Sequence, residues 1–264
     1  MKTSAYLDRI AFSGTPAATP GCLRDLQLAH LQAIPFENLD IHLGREILLD
    51  EERFFQKLVR QRRGGFCYEQ NGLFAVMLRA FGFEVTVLSA SVARNEGGFG
   101  GPFDHMTLQV RCPGSTVNWL ADVGFGDAFR EPLLLDEPGE QRPLLFDDGR
   151  AYRITRQGEF LHMEQRETGG PWAPRFRFIL APRSLTDFVE ACRFQQTSPE
   201  SNFTRRRIVT RATPRGRVTL ADLRLISTED GRRTERQLES DEEYRSALQR
   251  HFGICLQDAW KTPA

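Results

Sequence analysis

Phe74-Ala75-Val76-Met77-Leu78-Arg79-Ala80-Phe81-Gly82-Phe83-Glu84-Val85-Thr86-Val87-Leu88 is the stretch in which the chain changes its period. Up to Phe81 the large apolar residues Phe74, Met77, Leu78 and Phe81 recur at i, i+3, i+4 and i+7, one face of a helix. Gly82 ends that helix. From Glu84 polar and apolar residues alternate, the period of a half-buried strand. Upstream, Thr19 and Pro20 form an N-cap and first-turn pair for a helix through Leu23, Leu26, His30 and Ile34, stopped by Pro35. Asp50 opens a second helix with Phe54, Phe55, Leu58 and Val59 inward, and the third begins near Cys67. Downstream, strand patterns recur at 105–110, 117–123, 152–155, 160–165 and 175–179, and 207–210 and 217–220 flank Thr213-Pro214-Arg215-Gly216 as a hairpin. A last helix opens at Ser240, with Glu243 completing a capping box, and stops at Gly253. Helices, then short strands, then a mixed end predict an α+β protein with an antiparallel sheet or small barrel.

The 264 residues suffice for about two domains and for a core that needs no staples. Thirty-five basic residues balance 35 acidic ones, which argues against a nucleic-acid binder. The five cysteines, Cys22, Cys67, Cys112, Cys192 and Cys255, contain no C-x-x-C pair and point to free thiols in a reducing compartment. The first nine residues have no apolar secretory core, and no apolar run approaches the ~18 residues of a membrane span. A cytoplasmic protein without membrane or nucleic-acid partners is expected. The loops at 94–103 and 136–149, rich in Gly and Pro, are expected to be the flexible points.

The chemistry concentrates in Arg62-Arg63-Gly64-Gly65-Phe66-Cys67-Tyr68-Glu69-Gln70-Asn71-Gly72. Two glycines allow a tight turn directly into a helix whose first turn holds Cys67. Unpaired N–H groups, the helix dipole and the neighbouring Arg62 and Arg63 would favour the thiolate there. A nucleophilic cysteine needs a base, and the base needs an orienting acceptor. His105 and Asp122 lie on consecutive strands joined through Cys112-Pro113-Gly114-Ser115. Pairing about Pro113-Gly114 sets His105 opposite Asp122, within hydrogen-bonding reach across one sheet face.

Pro35-Phe36-Glu37-Asn38-Leu39-Asp40, Arg63-Gly64-Gly65-Phe66-Cys67-Tyr68-Glu69-Gln70-Asn71 and Ala121-Asp122-Val123-Gly124-Phe125-Gly126 together resemble the signature blocks of arylamine N-acetyltransferases, in the order Cys, His, Asp. The likeness extends to Ser201-Asn202-Phe203-Thr204 and to Glu243-Tyr244-Arg245, so it covers essentially the whole chain. The resemblance implies an N-terminal helical bundle (1–83) carrying Cys67, a central antiparallel β-barrel (84–190) carrying His105 and Asp122, and a C-terminal α/β lid (191–264). It also implies acetyl-CoA as acyl donor, no metal, an aromatic amine or hydrazine as acceptor, and a monomer or homodimer. Cys67 would be the acyl-accepting nucleophile, His105 the proton relay and Asp122 its orienting carboxylate. Phe36, Phe103, Phe125 and Phe203 would line the acceptor and CoA cleft, with Gly124 and Gly126 letting backbone approach CoA. Amide synthases of aromatic-amine-primed polyketides, thiol hydrolases and transglutaminase-like enzymes share the Cys-His-Asp set.

Two features stand apart. Asp104 precedes His105 where many members of that family carry threonine. The stretch 201–220 holds six arginines and no acid, and reads either as complementary to CoA phosphates or as a charged sheet edge that resists aggregation.

Overall fold

The computed structural model describes residues 3–145 and 149–256. The loop expected at 136–149 therefore lies partly outside the described residues. The N-terminal part holds α1 (Thr3–Arg9), α2 (Pro20–Ala33), a two-residue β1 (Phe36–Glu37), α3 (Leu39–His42), α4 (Glu51–Phe55) and α5 (Cys67–Ala80). Thr19 Oγ1 accepts from the Cys22 N–H at 3.3 Å and Asp50 Oδ1 from Arg53 N–H at 2.9 Å, the side-chain caps expected of both residues. The helix from Asp50 widens into a π-helical turn over Gln56–Arg60, which still buries Leu58 and Val59.

Seven antiparallel strands follow: β2 (Glu84–Val92), β3 (His105–Arg111), β4 (Asn118–Ala121), β5 (Leu133–Leu134), β6 (Arg150–Gln157), β7 (Phe160–Glu167) and β8 (Ala173–Phe178). Their order, β5-β4-β3-β2-β8-β7-β6, curls into a nearly closed barrel. Gln141 spans the remaining gap. Its backbone exchanges two hydrogen bonds with Tyr152 on β6, at 2.7 and 2.9 Å. Its side-chain amide bonds both Leu134 N–H and C=O on β5, at 2.7 and 2.9 Å. One glutamine thus satisfies groups on both edges that would otherwise stay open.

The C-terminal part holds α6 (Val189–Thr197), α7 (Asn202–Arg205), β9 (Ile208–Thr213), β10 (Gly216–Ala221), β11 (Arg224–Glu229), β12 (Arg232–Gln237) and α8 (Asp241–Ala247). The hairpin about Pro214-Arg215 forms as expected, with Thr213 opposite Gly216. Ser240 caps α8, but Glu243 takes the N–H of Glu239 at 3.0 Å, one residue upstream of the box position. Gly253, at φ 69°, closes the helical segment. β11 and β12 escape the sequence pattern because β12, Arg232–Gln237, is exposed along its whole length and has no apolar face to alternate.

Two connections position the site. β1 pairs with β9 and bridges Gly65, tying the glycine turn ahead of Cys67 to the C-terminal sheet. α5 packs across β2 and β3, so Cys67 shares one core with Phe66, Phe74, Leu108 and Met106, the residue after His105.

Candidate active site

Gly64 and Gly65 are required by close packing. A Cβ on Gly64 would lie 2.0 Å from the Pro35 carbonyl oxygen, and one on Gly65 2.7 Å from Glu69 Oε2. The turn places Cys67 at the first position of α5, 4% exposed. Glu69 Oε2 accepts the Phe66 N–H at 3.1 Å, and Lys57 holds Oε1 at 2.8 Å and Asp40 at 2.7 Å. Arg63, also buried, pairs with Glu37 at 2.7 Å and Asp40 at 3.0 Å. These charges brace the helix start; they do not turn toward the thiol. The expected help from Arg62 and Arg63 is therefore corrected: Arg63 is taken up by two carboxylates, and Arg62 is exposed with φ 54°. Burial pushes the Cys67 thiol well above its ordinary range. The Met106 N–H pulls it down, while Asp104 and Asp122 push it further up. Cys67 thus needs a base to take its proton.

His105, 2% exposed, meets Asp122 through Nε2···Oδ2 at 2.6 Å. The register differs from the expected one. Thr107 faces Asp122 in the ladder set by Leu108↔Ala121 and Val110↔Trp119, and Asp122 lies just past β4. Pro113-Gly114 does make the turn, with Ser115 N–H bonding Cys112 O at 3.0 Å, but Ser115, Thr116 and Val117 bow out before pairing starts. A turn with Gly114 at φ 73° after proline matches hairpin twist poorly, so the strands join later. The two-residue shift preserves the sheet face, and His105 reaches Asp122 diagonally.

Asn71, one helical turn after Cys67, locks this pair. Its Nδ2 bonds Asp122 Oδ1 at 2.9 Å and Met106 O at 2.7 Å, and its Oδ1 accepts Val123 N–H at 2.9 Å. Gly124 N–H adds a bond to Asp122 Oδ1 at 2.8 Å, and Gln27 Oε1 accepts Asp122 N–H at 3.1 Å. Sequence reasoning assigned neither Asn71 nor Gln27 a role; the i, i+4 spacing from Cys67 was the available signal for Asn71. Burial alone would raise the Asp122 carboxyl. Charge and hydrogen bonding from His105, with those of Asn71 and Gly124, outweigh it and hold the group below the usual carboxylate range. A depressed folded pKa stabilises above the unfolded value of about 4 and is lost as pH falls through the folded one. Denaturant midpoints are expected to drop below about pH 4, and to drop less steeply in Asp122→Asn.

Aromatic rings enclose the group. Phe125 meets the His105 ring edge-on at 5.2 Å, and Phe176 packs on it at 5.3 Å. Phe203 contacts Phe36 at 5.9 Å and Phe66 at 6.0 Å. Phe103 stands at 90° to Phe188, and its carbonyl accepts the Tyr68 hydroxyl at 2.9 Å. A Cβ on Gly126 would touch Phe36 and Thr210. Phe125 thus lies against His105, Phe36 and Phe203 pack together beside Phe66, and Phe103 is tied to Tyr68, the residue after Cys67. Gly124 fits against Cys67 itself: a Cβ there would come within 2.8 Å of Cys67 Cα and 2.7 Å of Asn71 Nδ2. Gly124→Ala is expected to cost about 1–3 kcal/mol and to reduce turnover more than tenfold, read by urea unfolding and steady-state kinetics.

The glycine-rich loop folds back as a tight hairpin, Ala93 bridging Phe99, with the Phe99 ring against Arg177 at 4.6 Å and His162 at 5.3 Å. In the arginine stretch, Arg217 pairs with Asp127 at 3.1 Å, Arg215 with Glu229 at 3.1 Å and with Asp230, and Arg211 donates to the His251 carbonyl at 2.6 Å. These partners tie the three arginines into the fold, and β9 and β10 lie inside the order β1-β9-β10-β11-β12, so the expected sheet-edge reading does not hold for them. Among the described residues no group of three or more His, Cys, Asp and Glu could hold a metal ion, and no helix is long and apolar enough to cross a membrane.

A family model for N-acetyltransferases matches residues 21–261, which gives the class. An arylamine N-acetyltransferase of Mycolicibacterium smegmatis is 34% identical over 98% of this chain and 94% of its own. Proansamycin X synthase of Amycolatopsis mediterranei is 30% identical over 93% of this chain and 94% of its own. The solved Mycobacterium marinum arylamine N-acetyltransferase in complex with CoA superposes with a TM-score of 0.87 at 32% identity, covering 96% of this chain and 93% of that one. The chain belongs to the arylamine N-acetyltransferase family.

Proposed function

We propose that this acetyl-CoA-dependent acyltransferase works by a ping-pong route through acetyl-Cys67. The observation that carries the reading is the buried His105–Asp122 hydrogen bond beside a cysteine at a helix start. His105 takes the Cys67 proton, and the sulfur attacks the acetyl-CoA thioester carbonyl. Backbone N–H groups near residue 67 hold the tetrahedral oxyanion, and CoA leaves as its thiol with the proton from His105. An aromatic amine or hydrazine then attacks the cysteine thioester, loses a proton to His105, and departs acetylated as Cys67 is released as thiol. Asp122 keeps the imidazole oriented and stabilises its charged form. Phe36, Phe103, Phe125 and Phe203 give an apolar surface for uncharged aryl amines, which enter without an ionic desolvation cost. Gly126 admits CoA close to the backbone, while the bare Gly124 makes room for Cys67 and Asn71. The division into 1–83, 84–190 and 191–264, a cytoplasmic location and a monomeric or homodimeric state complete the proposal.

The test is free CoA release from acetyl-CoA with and without an arylamine. Transfer requires that most release depend on the amine; release that is unchanged by omitting it makes the protein a hydrolase. The likeness to proansamycin X synthase supports a second reading, amide closure of an aromatic-amine-primed polyketide. That reading requires acylation of Cys67 by a polyketide thioester in preference to acetyl-CoA, measured by competition between the two donors.

A further inference from the structure

A second carboxylate stands beside the His105–Asp122 pair. Asp104 directly precedes His105 and follows Phe103, whose φ of 65° turns the chain sharply and whose carbonyl accepts the Tyr68 hydroxyl at 2.9 Å, one residue from Cys67. Its side chain is partly buried under the glycine hairpin. A Cβ on Gly100 would overlap its Oδ2, so that glycine is what admits the carboxylate; burial raises the carboxyl, and His105, the Val92 backbone and Arg94 pull it back down. Asp104 is thus held in place, and its charge acts on His105, Cys67 and Tyr68. Other charged groups around it include Asp122, bonded to the same His105, the exposed Arg94, Arg177 over the hairpin's Phe99 ring at 4.6 Å, and Arg183, 5.4 Å from the Phe103 ring centroid.

We propose that Asp104 is a specificity-determining residue, a fixed negative charge near the acetyl-Cys67 thioester that disfavours anionic acceptors and leaves uncharged arylamines and hydrazines as the preferred ones. The inference rests on the ping-pong reading above. Any acceptor attacking the thioester must place its nitrogen at the sulfur-bound carbonyl, inside the field of Asp104. Threonine in that position would carry no charge and impose no such penalty.

Methyl 4-aminobenzoate and 4-aminobenzoate share a ring and an amine and differ in one charge at neutral pH. In a ping-pong enzyme kcat/KM for the acceptor reports only the second half-reaction, so donor binding drops out of the comparison. The ester-to-acid ratio of kcat/KM is expected to be high in the wild type. It should fall about tenfold in Asp104→Asn and Asp104→Thr, the effect of removing a like charge about 10 Å away at an effective dielectric of about 20. The fall should come from faster reaction of the acid, with the ester little changed, and Asp104→Glu should keep the wild-type ratio. In the wild type, raising salt from about 0.02 to 0.5 M should narrow the ratio, a reading that does not depend on any variant folding. A ratio unmoved by both substitutions or by salt overturns the proposal, as does an equal change for acid and ester, which marks a structural role only. Absence of ester turnover in the wild type instead overturns the transferase reading itself.

Discussion

Cys67→Ala is expected to lower amine-dependent acetyl transfer by about 10⁴-fold or more, because it removes the thiol that accepts the acetyl group. The substitution removes one sulfur from the first position of a helix. Alanine suits a helix and leaves a space no larger than a methyl group, so stability should shift by about 1 kcal/mol or less. That separation makes the result interpretable: activity vanishes in a folded protein. Cys22 is half-buried and Cys255 exposed. Alkylation should therefore reach those thiols without inactivating, and inactivation should track modification of Cys67 and be slowed by acetyl-CoA. A Cys67→Ala protein retaining more than about a hundredth of wild-type activity would contradict the assignment.

Asp122→Asn is the next largest expected effect, a fall of about 10³–10⁴-fold in kcat/KM. Oδ2 is the acceptor for His105 and Oδ1 the acceptor for both Asn71 and Gly124 N–H. An amide can serve only one of those sides as acceptor, and its NH₂ meets a donor on the other. Facing His105, it imposes the wrong tautomer; facing Asn71, it leaves two buried donors without a partner. The loss should appear in alkylation of Cys67 near neutral pH as well as in turnover. A variant slowed less than tenfold would mean that the imidazole needs no carboxylate.

Much of this arrangement can be read from local chemistry. Thr19, Asp50 and Ser240 announce helix starts because a side-chain oxygen beside the first free N–H groups is a short-range device. Strand alternation from Glu84 is equally local. Three things lay beyond it. The register between β3 and β4 depends on how a proline-glycine turn meets the sheet's twist, and Ser115–Val117 absorb the mismatch. Arg63 looked like a cation for the thiol, yet its partners Glu37 and Asp40 come from a segment more than twenty residues earlier. Asn71 and Gln27 gained their roles only when α5, α2 and the chain after β4 met around Asp122. Conversely, His105 and Asp122 were found despite the wrong register, since an error of two residues keeps both side chains on one face.

The central claim is that Cys67 carries the acetyl group between donor and acceptor. The direct measurement is intact-protein and peptide mass spectrometry after exposure to acetyl-CoA alone, then after adding an arylamine. A single acetyl group should appear on the Cys67 peptide, disappear when the amine is added with matching formation of the acetylated amine, and never form in Cys67→Ala. Acetylated amine produced at the wild-type rate with no acetyl group on Cys67, or an equal adduct in Cys67→Ala, would contradict it.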